Sequence, residues 1–275
     1  MTKNGLLKKL VTCGLALSFT LGLAGCGGKE DSDKTMLEQI KEKGTITIAT
    51  KPDYAPYEFY IMEDGEKKLV GFDIDIANEI AKELGVEIKF EEMDFELIPE
   101  AVKSGSVDLG ISGLSPKPER KEVVDFSINY YDTEQGILVP QGSNIKTKAD
   151  LVGKKIGAQT GSIQFDMAMT IEDADVTALG DVNNLVLDLK NGAFDAVLVE
   201  LPVANTIVAN NKDLEVCDEV LIYEAAGNAV AVQKGQADLL AVVNDVLQKL
   251  IDDGKVEEFV KNAEAVAQYD ITGQE

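Results

Sequence analysis

Apolar and polar positions along this chain switch between a two-residue and a nearly four-residue period. Residues 45–50 (TITIAT) alternate, which predicts a strand. In residues 73–84, Ile76, Ile80 and Leu84 fall on one face of a predicted helix, and Gly85 follows as a stop. Residues 86–90 alternate again, 95–104 read as a helix stopped by Gly105, and 107–112 as a buried strand. The second half repeats this order: strand 155–158, helix 162–170, helix 183–190, strand 195–199. Two helices close the pattern, at 237–251 and 256–265, split at Asp252, Asp253 and Gly254. Short apolar strands alternating with amphipathic helices predict an α/β protein with mainly parallel sheets.

One spacing recurs. Lys103, Gly105 and Asp108 repeat as Lys190, Gly192 and Asp195, each set between a helix and a buried strand. Any helix-glycine-strand junction has this form, and so do two lobes built from the same unit. In such sheets ligands collect beyond the carboxyl ends of the strands. Those ends are predicted at 50–54, 112–120, 159–162 and Glu200.

The first residues follow a different pattern. Lys3, Lys8 and Lys9 precede an apolar run over 10–24, which ends in Leu23, Ala24, Gly25 and Cys26. The run is short for a spanning helix and is interrupted by Gly14, Ser18, Thr20 and Gly22. A secretory signal over 1–25 is the better reading than a transmembrane anchor. Cys26 after small residues resembles the bacterial lipobox, in which that Cys carries the lipid and becomes the new N-terminus. Residues 26–43 are then expected to be the lipidated Cys and a flexible tether, with 27–34 (GGKEDSDK) the most tether-like part.

Composition removes several function classes. The chain carries 26 Lys+Arg against 49 Asp+Glu, a net of −23. Losing the three signal lysines makes that −26, a balance that repels nucleic acid and anionic headgroups. There is no His, which removes Ser-His-Asp and Cys-His pairs and nearly all zinc chemistry. Of three Cys, Cys13 leaves with the signal and Cys26 is lipidated, so Cys217 has no partner within the mature chain. No metal and no cofactor is expected. A phosphate-binding loop of the G-x-x-x-x-G-K type is absent as well, so any ATP would be hydrolysed by another subunit.

The strand ends hold groups suited to a small zwitterion. Pro52 and Pro56 stiffen a loop that presents Tyr54 as a pocket wall, whereas Tyr57 and Phe59 are expected in the core. Phe95 could face Tyr54 across the same opening. In 112–120, Gly113 permits close approach, Ser115 offers a hydroxyl, and Pro118 suits a first helical turn that contains Arg120. Donors converging with a guanidinium suit a carboxylate. Gln159, Gly161 and Ser162 form a second strand-to-helix turn. Glu200 follows an apolar strand directly, where a carboxylate is costly unless it meets a cation or donors. Arg120 and Glu200 together suit the two ends of an α-amino acid.

At this point the chain resembles a known family, the type II periplasmic solute-binding proteins of polar amino acid ABC importers, extracellular solute-binding family 3. The resemblance rests on Gly71, Phe72, Asp73, Ile74 and Asp75, on Leu97, Ile98, Pro99 and Asp108, on Pro118 to Lys121, and on Val124 to Ser127. It implies a two-lobed fold, each lobe a mainly parallel sheet flanked by helices, with two crossing segments near 129–134 and 223–227. Lobe one would span 44–130, with 226–275 returning to it, and lobe two 131–225.

The resemblance also implies roles. Tyr54 and Phe95 would sandwich the ligand, while Gly113, Ser115 and Arg120 hold its α-carboxylate. Ser162 and the turn at Gly161 would add donors from lobe two, with Ser112 and Gln159 shaping the side-chain pocket. Glu200 stands where the family usually has an Asp for the α-ammonium. Lys117 replaces a common Ser or Thr, and Lys51 a position that is acidic in several relatives with cationic or amide ligands. The expected function is a monomeric substrate-binding lipoprotein that delivers a polar amino acid to a permease and, through it, serves an ATPase subunit. It would be moored outside the cytoplasm by the lipid on Cys26, on a Gram-positive surface or in a periplasm. An amino-acid or cyclohexadienyl dehydratase-like enzyme on the same scaffold, or a tethered sensor, are the rivals.

Overall fold

The computed structural model describes residues 34–223 and 227–270. The expected signal over 1–25, Cys26 and the expected tether up to residue 33 lie outside the described residues. The tether does not extend to residue 43 as expected: Met36–Lys43 is a helix, α1. Thr35 caps it reciprocally with Glu38, Gly44 ends it in a left-handed conformation, and Ile40 is buried.

The strands, in chain order, are β1 (Thr45–Thr50), β2 (Phe59–Glu63), β3 (Glu66–Val70), β4 (Glu87–Glu92), β5 (Leu109–Gly110) and β6 (Val124–Phe126). They continue as β7 (Gln135–Pro140), β8 (Lys155–Gln159), β9 (Asp175–Leu179), β10 (Ala196–Glu200), β11 (Leu214–Val216) and β12 (Ala231–Gln233). The helices after α1 are α2 (Phe72–Leu84), α3 (Ile98–Ser104), α4 (Pro118–Val123), α5 (Ile163–Ala168), α6 (Val182–Lys190), α7 (Leu201–Asn210), α8 (Ala237–Asp252) and α9 (Lys255–Asp270).

Two five-stranded sheets result, in the orders β4-β1-β5-β12-β6 and β11-β7-β10-β8-β9. In each, three neighbouring strands are parallel and two more pair antiparallel at one side. The chain crosses from the first sheet to the second after Phe126 and returns after Val216, re-entering at Ala231. The crossing stretches touch: the Asn228 carbonyl accepts the Tyr130 N–H while the Asn228 N–H donates to the Tyr131 carbonyl, and Gln135 and Leu221 exchange backbone bonds.

The repeated Lys-Gly-Asp spacing has one structural meaning in both sheets. Asp108 Oδ2 accepts the Thr47 N–H at 2.7 Å, and Asp195 Oδ2 accepts the Lys155 N–H at 2.8 Å. Thr47 lies in β1 and Lys155 opens β8, two strands that pair parallel with neighbours on both sides, so each Asp satisfies a backbone donor of a parallel strand. The spacing is a shared building unit rather than a generic junction.

Packing follows the periodicities. Phe72, Ile76 and Ile80 of α2 are fully buried with Ile46 and Ile48 of β1. Each such side chain contributes roughly 1.5–3 kcal/mol by leaving water. β10 is buried along its whole length, as expected for a central strand covered on both faces. The helix predicted over 95–104 is divided into a 3-10 turn at Phe95–Leu97 and α3. Pro99 has no N–H to give the Phe95 carbonyl, so an α-helix cannot run through.

Gly71 precedes α2 at φ 131, and a Cβ there would lie 2.0 Å from the Tyr57 carbonyl oxygen. This close approach fixes the Tyr57 loop on α2. Gly71→Ala should therefore lower the unfolding free energy by at least ~2 kcal/mol, read by urea denaturation. A loss below ~0.5 kcal/mol would show that the contact relaxes freely.

Candidate ligand-binding site

The carboxyl ends of β1, β5, β8 and β10 meet across the gap between the two sheets. There a small cavity, with about 240 Å³ of space between atoms including its open part, is lined by Tyr54, Phe95, Gly113, Ser115, Arg120, Gln159, Ser162, Ile163, Gln164 and Glu200. The first five come from the first sheet's loops and the rest from the second's. Nearly all are buried: Tyr54 is 8% exposed, Arg120 5% and Glu200 2%. No ligand reaches such a place unless the two sheets first separate.

Arg120 stands in the first turn of α4, behind Pro118. Its guanidinium stacks on the Phe95 ring at 4.8 Å and donates to the Ser115 carbonyl at 2.8 Å and, across the gap, to the Gly161 carbonyl at 3.1 Å. These bonds orient the group and leave others of its five N–H donors for a guest. Burial lowers its pKa to about 10, against the attraction of Asp166 and Glu200. It remains charged at neutral pH.

Glu200 ends β10 inside the cavity. Its Oε1 accepts from the Asn228 amide at 3.2 Å, while Oε2 is buried with no donor. Burial raises its pKa to about 7, opposed by the neighbouring Tyr57 hydroxyl (itself given to Asn228 Oδ1 at 3.3 Å), the Asn228 amide and the more distant Arg120 charge. Arg120 and Glu200 thus face one cavity with opposite charge preferences and form no ion pair with each other among the described residues. Tyr54 bridges the gap beside them, its hydroxyl accepting the Glu200 backbone N–H at 3.0 Å.

Direct bonds between the two sides flank the cavity. On one flank Lys117 Nζ reaches Asp166 at 2.7 Å and the Gly161 carbonyl at 3.1 Å. On the other, Asp53 accepts the Val182 N–H at 3.0 Å. Lys51 Nζ lies 3.7 Å from Asp53, 3.9 Å from Asp94 and 3.7 Å from Asp181. One ammonium is shared by three carboxylates, and burial pushes the Asp53 carboxyl up to about 7 despite the Val182 bond and Lys51.

Of the residues singled out in the sequence, Tyr54, Phe95, Gly113, Ser115, Arg120, Gln159, Ser162 and Glu200 line the cavity. Ser112 and Gly161 do not. The Ser112 hydroxyl is turned to Glu58 at 2.6 Å, and the Gly161 carbonyl serves Lys117 and Arg120. Gly113 lines the wall, but its N–H is committed to Asp73 at 2.7 Å, so its contribution is close approach rather than donation. A Cβ there would sit 3.4 Å from the Tyr57 ring and 3.5 Å from Tyr54. The Ser162 hydroxyl caps α5 through the Phe165 N–H. Tyr57 and Phe59 are core, as expected. Ile163, Gln164 and Asn228 escaped the sequence reading. The first two directly follow the recognised turn, whereas Asn228 carries no local signal.

Residues 46–262 match the bacterial extracellular solute-binding proteins, family 3. The chain is 34% identical over 260 residues to the arginine-binding extracellular protein ArtP of Bacillus subtilis (strain 168), covering 93% of this chain and 97% of that one. It is 31% identical over 239 residues to the L-cystine-binding protein TcyJ of Escherichia coli (strain K12), covering 86% and 88%. Among solved structures, it is similar to the amino acid ABC transporter substrate-binding protein AbpA of Streptococcus pneumoniae bound to L-arginine. That likeness has a TM-score of 0.82 and 38% identity, over 85% of this chain and 100% of that one. The chain belongs to family 3 of the bacterial extracellular solute-binding proteins, with the two-lobed α/β fold of its structural neighbours.

The raised Glu200 value has a consequence for stability. A carboxyl that ionises near 4.5 when unfolded and about 7 when folded favours the folded state most at low pH, and that advantage shrinks as pH rises between the two. In the ligand-free protein, Glu200→Gln should gain on the wild type by about 3 kcal/mol over that interval. Urea denaturation at several pH values reads this directly. A difference that stays constant with pH would show that folded Glu200 ionises normally.

Proposed function

We propose that this family 3 solute-binding protein captures a polar α-amino acid between its two lobes and delivers it to an ABC permease. The observation that carries the reading is one cavity lined by both Glu200, whose Oε2 is buried without a donor, and the Arg120 guanidinium. A zwitterion supplies what each lacks: a carboxylate for Arg120 beside Ser115, and an ammonium for Glu200. Tyr54 and Phe95 supply apolar faces on either side, and Gln159 and Ser162 complete the wall from lobe two. Ser112 and Gly161 act one step back, holding the loops. The ligand joins half-sites on separate lobes, so it binds the closed form more tightly and shifts the population toward it.

The relatives, arginine- and cystine-binding proteins and an ABC transporter substrate-binding protein, support the ligand class and the transporter. Lobe one comprises 44–130 and the returning 226–275, and lobe two 131–225. The protein binds rather than transforms its ligand and acts as a monomer. It works outside the cytoplasm, where a lipid on Cys26 after signal removal moors it near its permease. The apolar run ending in Leu23, Ala24, Gly25 and Cys26 supports that anchor. ATP is hydrolysed by a separate subunit.

A thermal-shift screen of the twenty amino acids plus cystine should reveal a ligand that raises the melting temperature. Arg120→Ala should then weaken its calorimetric affinity by at least ~2 kcal/mol, since a charge-assisted pair is lost. Unchanged affinity would remove Arg120 from the site. Cys26→Ser should release the protein from membranes without altering affinity, and a variant that stays membrane-bound after signal cleavage would contradict the lipid anchor.

A further inference from the structure

Beneath the loop that carries Ser112, Gly113 and Ser115 lie two carboxyl groups that contact no guest in this reading. Glu58 is 1% exposed and Asp73 0%. The backbone brings them together. Phe72 and Asp73 donate their N–H groups to the carbonyls of Pro56 and Tyr57, at 3.1 and 3.0 Å, where Gly71 permits the approach. Each carboxyl grips one residue of the loop. Glu58 Oε1 accepts the Ser112 hydroxyl at 2.6 Å, and Asp73 Oδ2 accepts the Gly113 N–H at 2.7 Å.

The two are chemically unequal. Asp73 receives a second donor, the Tyr130 hydroxyl at 2.8 Å on Oδ1, and stands in the first turn of the 13-residue α2, where a negative charge is favoured. Glu58 Oε2 is buried and has no donor, and the Asp73 carboxyl is its neighbour, since the two carboxyls grip the adjacent residues Ser112 and Gly113. Around the pair stand Asp53 from the loop after β1, Tyr54 and Tyr57 from the same loop, Tyr130 from the first crossing, and Glu200 from β10. Neither carboxyl has an ion pair with Lys or Arg among the described residues. Two carboxylates in contact, out of water and without a cation, do not both ionise.

We propose that Glu58 is protonated at neutral pH and donates its O–H to Asp73, and that this single-proton pair positions Ser112 and Gly113 beneath the ligand. The shared proton turns the otherwise donorless Oε2 into a donor and leaves Asp73 with three donors on two oxygens. Burial and the Asp73 charge both hold the Glu58 carboxyl well above its usual range. Burial also raises Asp73, but the Gly113 N–H and Tyr130 hydroxyl oppose this and keep it the more acidic partner. Loss of the Glu58 proton would set two carboxylates against each other and push the loop out of register, so both loop position and affinity should fail at alkaline pH. Glu58→Gln reproduces the protonated form: its amide N–H₂ faces Asp73 and its carbonyl accepts from Ser112.

The test has two arms, and only the binding arm rests on the amino-acid reading. Infrared spectra of the whole protein at about pH 8, where an ordinary carboxyl is ionised, should show the C=O stretch of a buried protonated carboxyl. That band should vanish in Glu58→Gln and persist in Glu200→Gln. In calorimetry with the amino acid that gives the largest thermal shift, Glu58→Gln should bind within about threefold of wild type and keep that affinity at alkaline pH, where wild type weakens. Asp73→Asn, which offers one carbonyl oxygen to three donors, should lose at least ~tenfold. If Asp73→Asn does not fold, the infrared band and Glu58→Gln decide alone. A band unchanged in Glu58→Gln, or a tenfold loss in that variant, overturns the proposal. If wild type binds no amino acid, the functional reading fails, while the band still decides the state of the pair.

Discussion

Ionisable groups held out of water without a full set of partners are the constraint on which this molecule turns. Arg120 is buried with its charge offset mainly by carbonyl oxygens, and Glu200 is buried with one oxygen lacking any donor. Either state is costly, because removing a charge from water is not repaid by distant attraction. The raised value of Glu200 and the lowered value of Arg120 are two signs of the same cost. A zwitterion of the right length would offset both at once, which is the physical ground for proposing that a cavity lined by these two groups takes an amino acid rather than an apolar or singly charged guest.

The scaffold explains how such groups converge. Parallel strands in both sheets end at one gap, so loops after β1, β5, β8 and β10 deliver side chains from two directions. The equivalent grips of Asp108 on Thr47 and Asp195 on Lys155 show that the two sheets are built alike, although their remaining sequences differ. The Lys117 to Asp166 and Lys51 to Asp181 contacts lie on opposite flanks of the cavity and exist only when the lobes meet. They are partly exposed and modest in strength, which suits a joint that must open again. The rigid part lies deeper, where Gly71, Glu58 and Asp73 hold the Ser112 loop against α2.

Much of this was legible in residue order, and the exceptions have physical reasons. β1 and α2 follow from clean two- and four-residue periods, and Gly85 and Gly105 end their helices where expected. The site residues were found because strand-end loops are short and chemically distinctive. The β2–β3 hairpin and α1 were missed because β2 (FYIME) shows no alternation, while β3 (EKKLV) and α1 (MLEQIKEK) are mostly polar. α7, LPVANTIVAN, is too uniformly apolar to show a stripe, since it is packed beneath both the second sheet and α9. Asn228 and the Glu58–Asp73 contact arise only when the returning crossing and the Tyr57 loop are folded into place. No local period encodes either.

The central claim is that one amino acid joins Arg120 to Glu200 across the gap. A crystal structure of the protein with the ligand of largest thermal shift tests it most directly. The account predicts the ligand's α-carboxylate hydrogen-bonded to the Arg120 guanidinium, its ammonium on Glu200 Oε2, and its body between Tyr54 and Phe95. A ligand whose carboxylate lies elsewhere, for example on the Lys51 ammonium, or one bound outside the cavity, would contradict it.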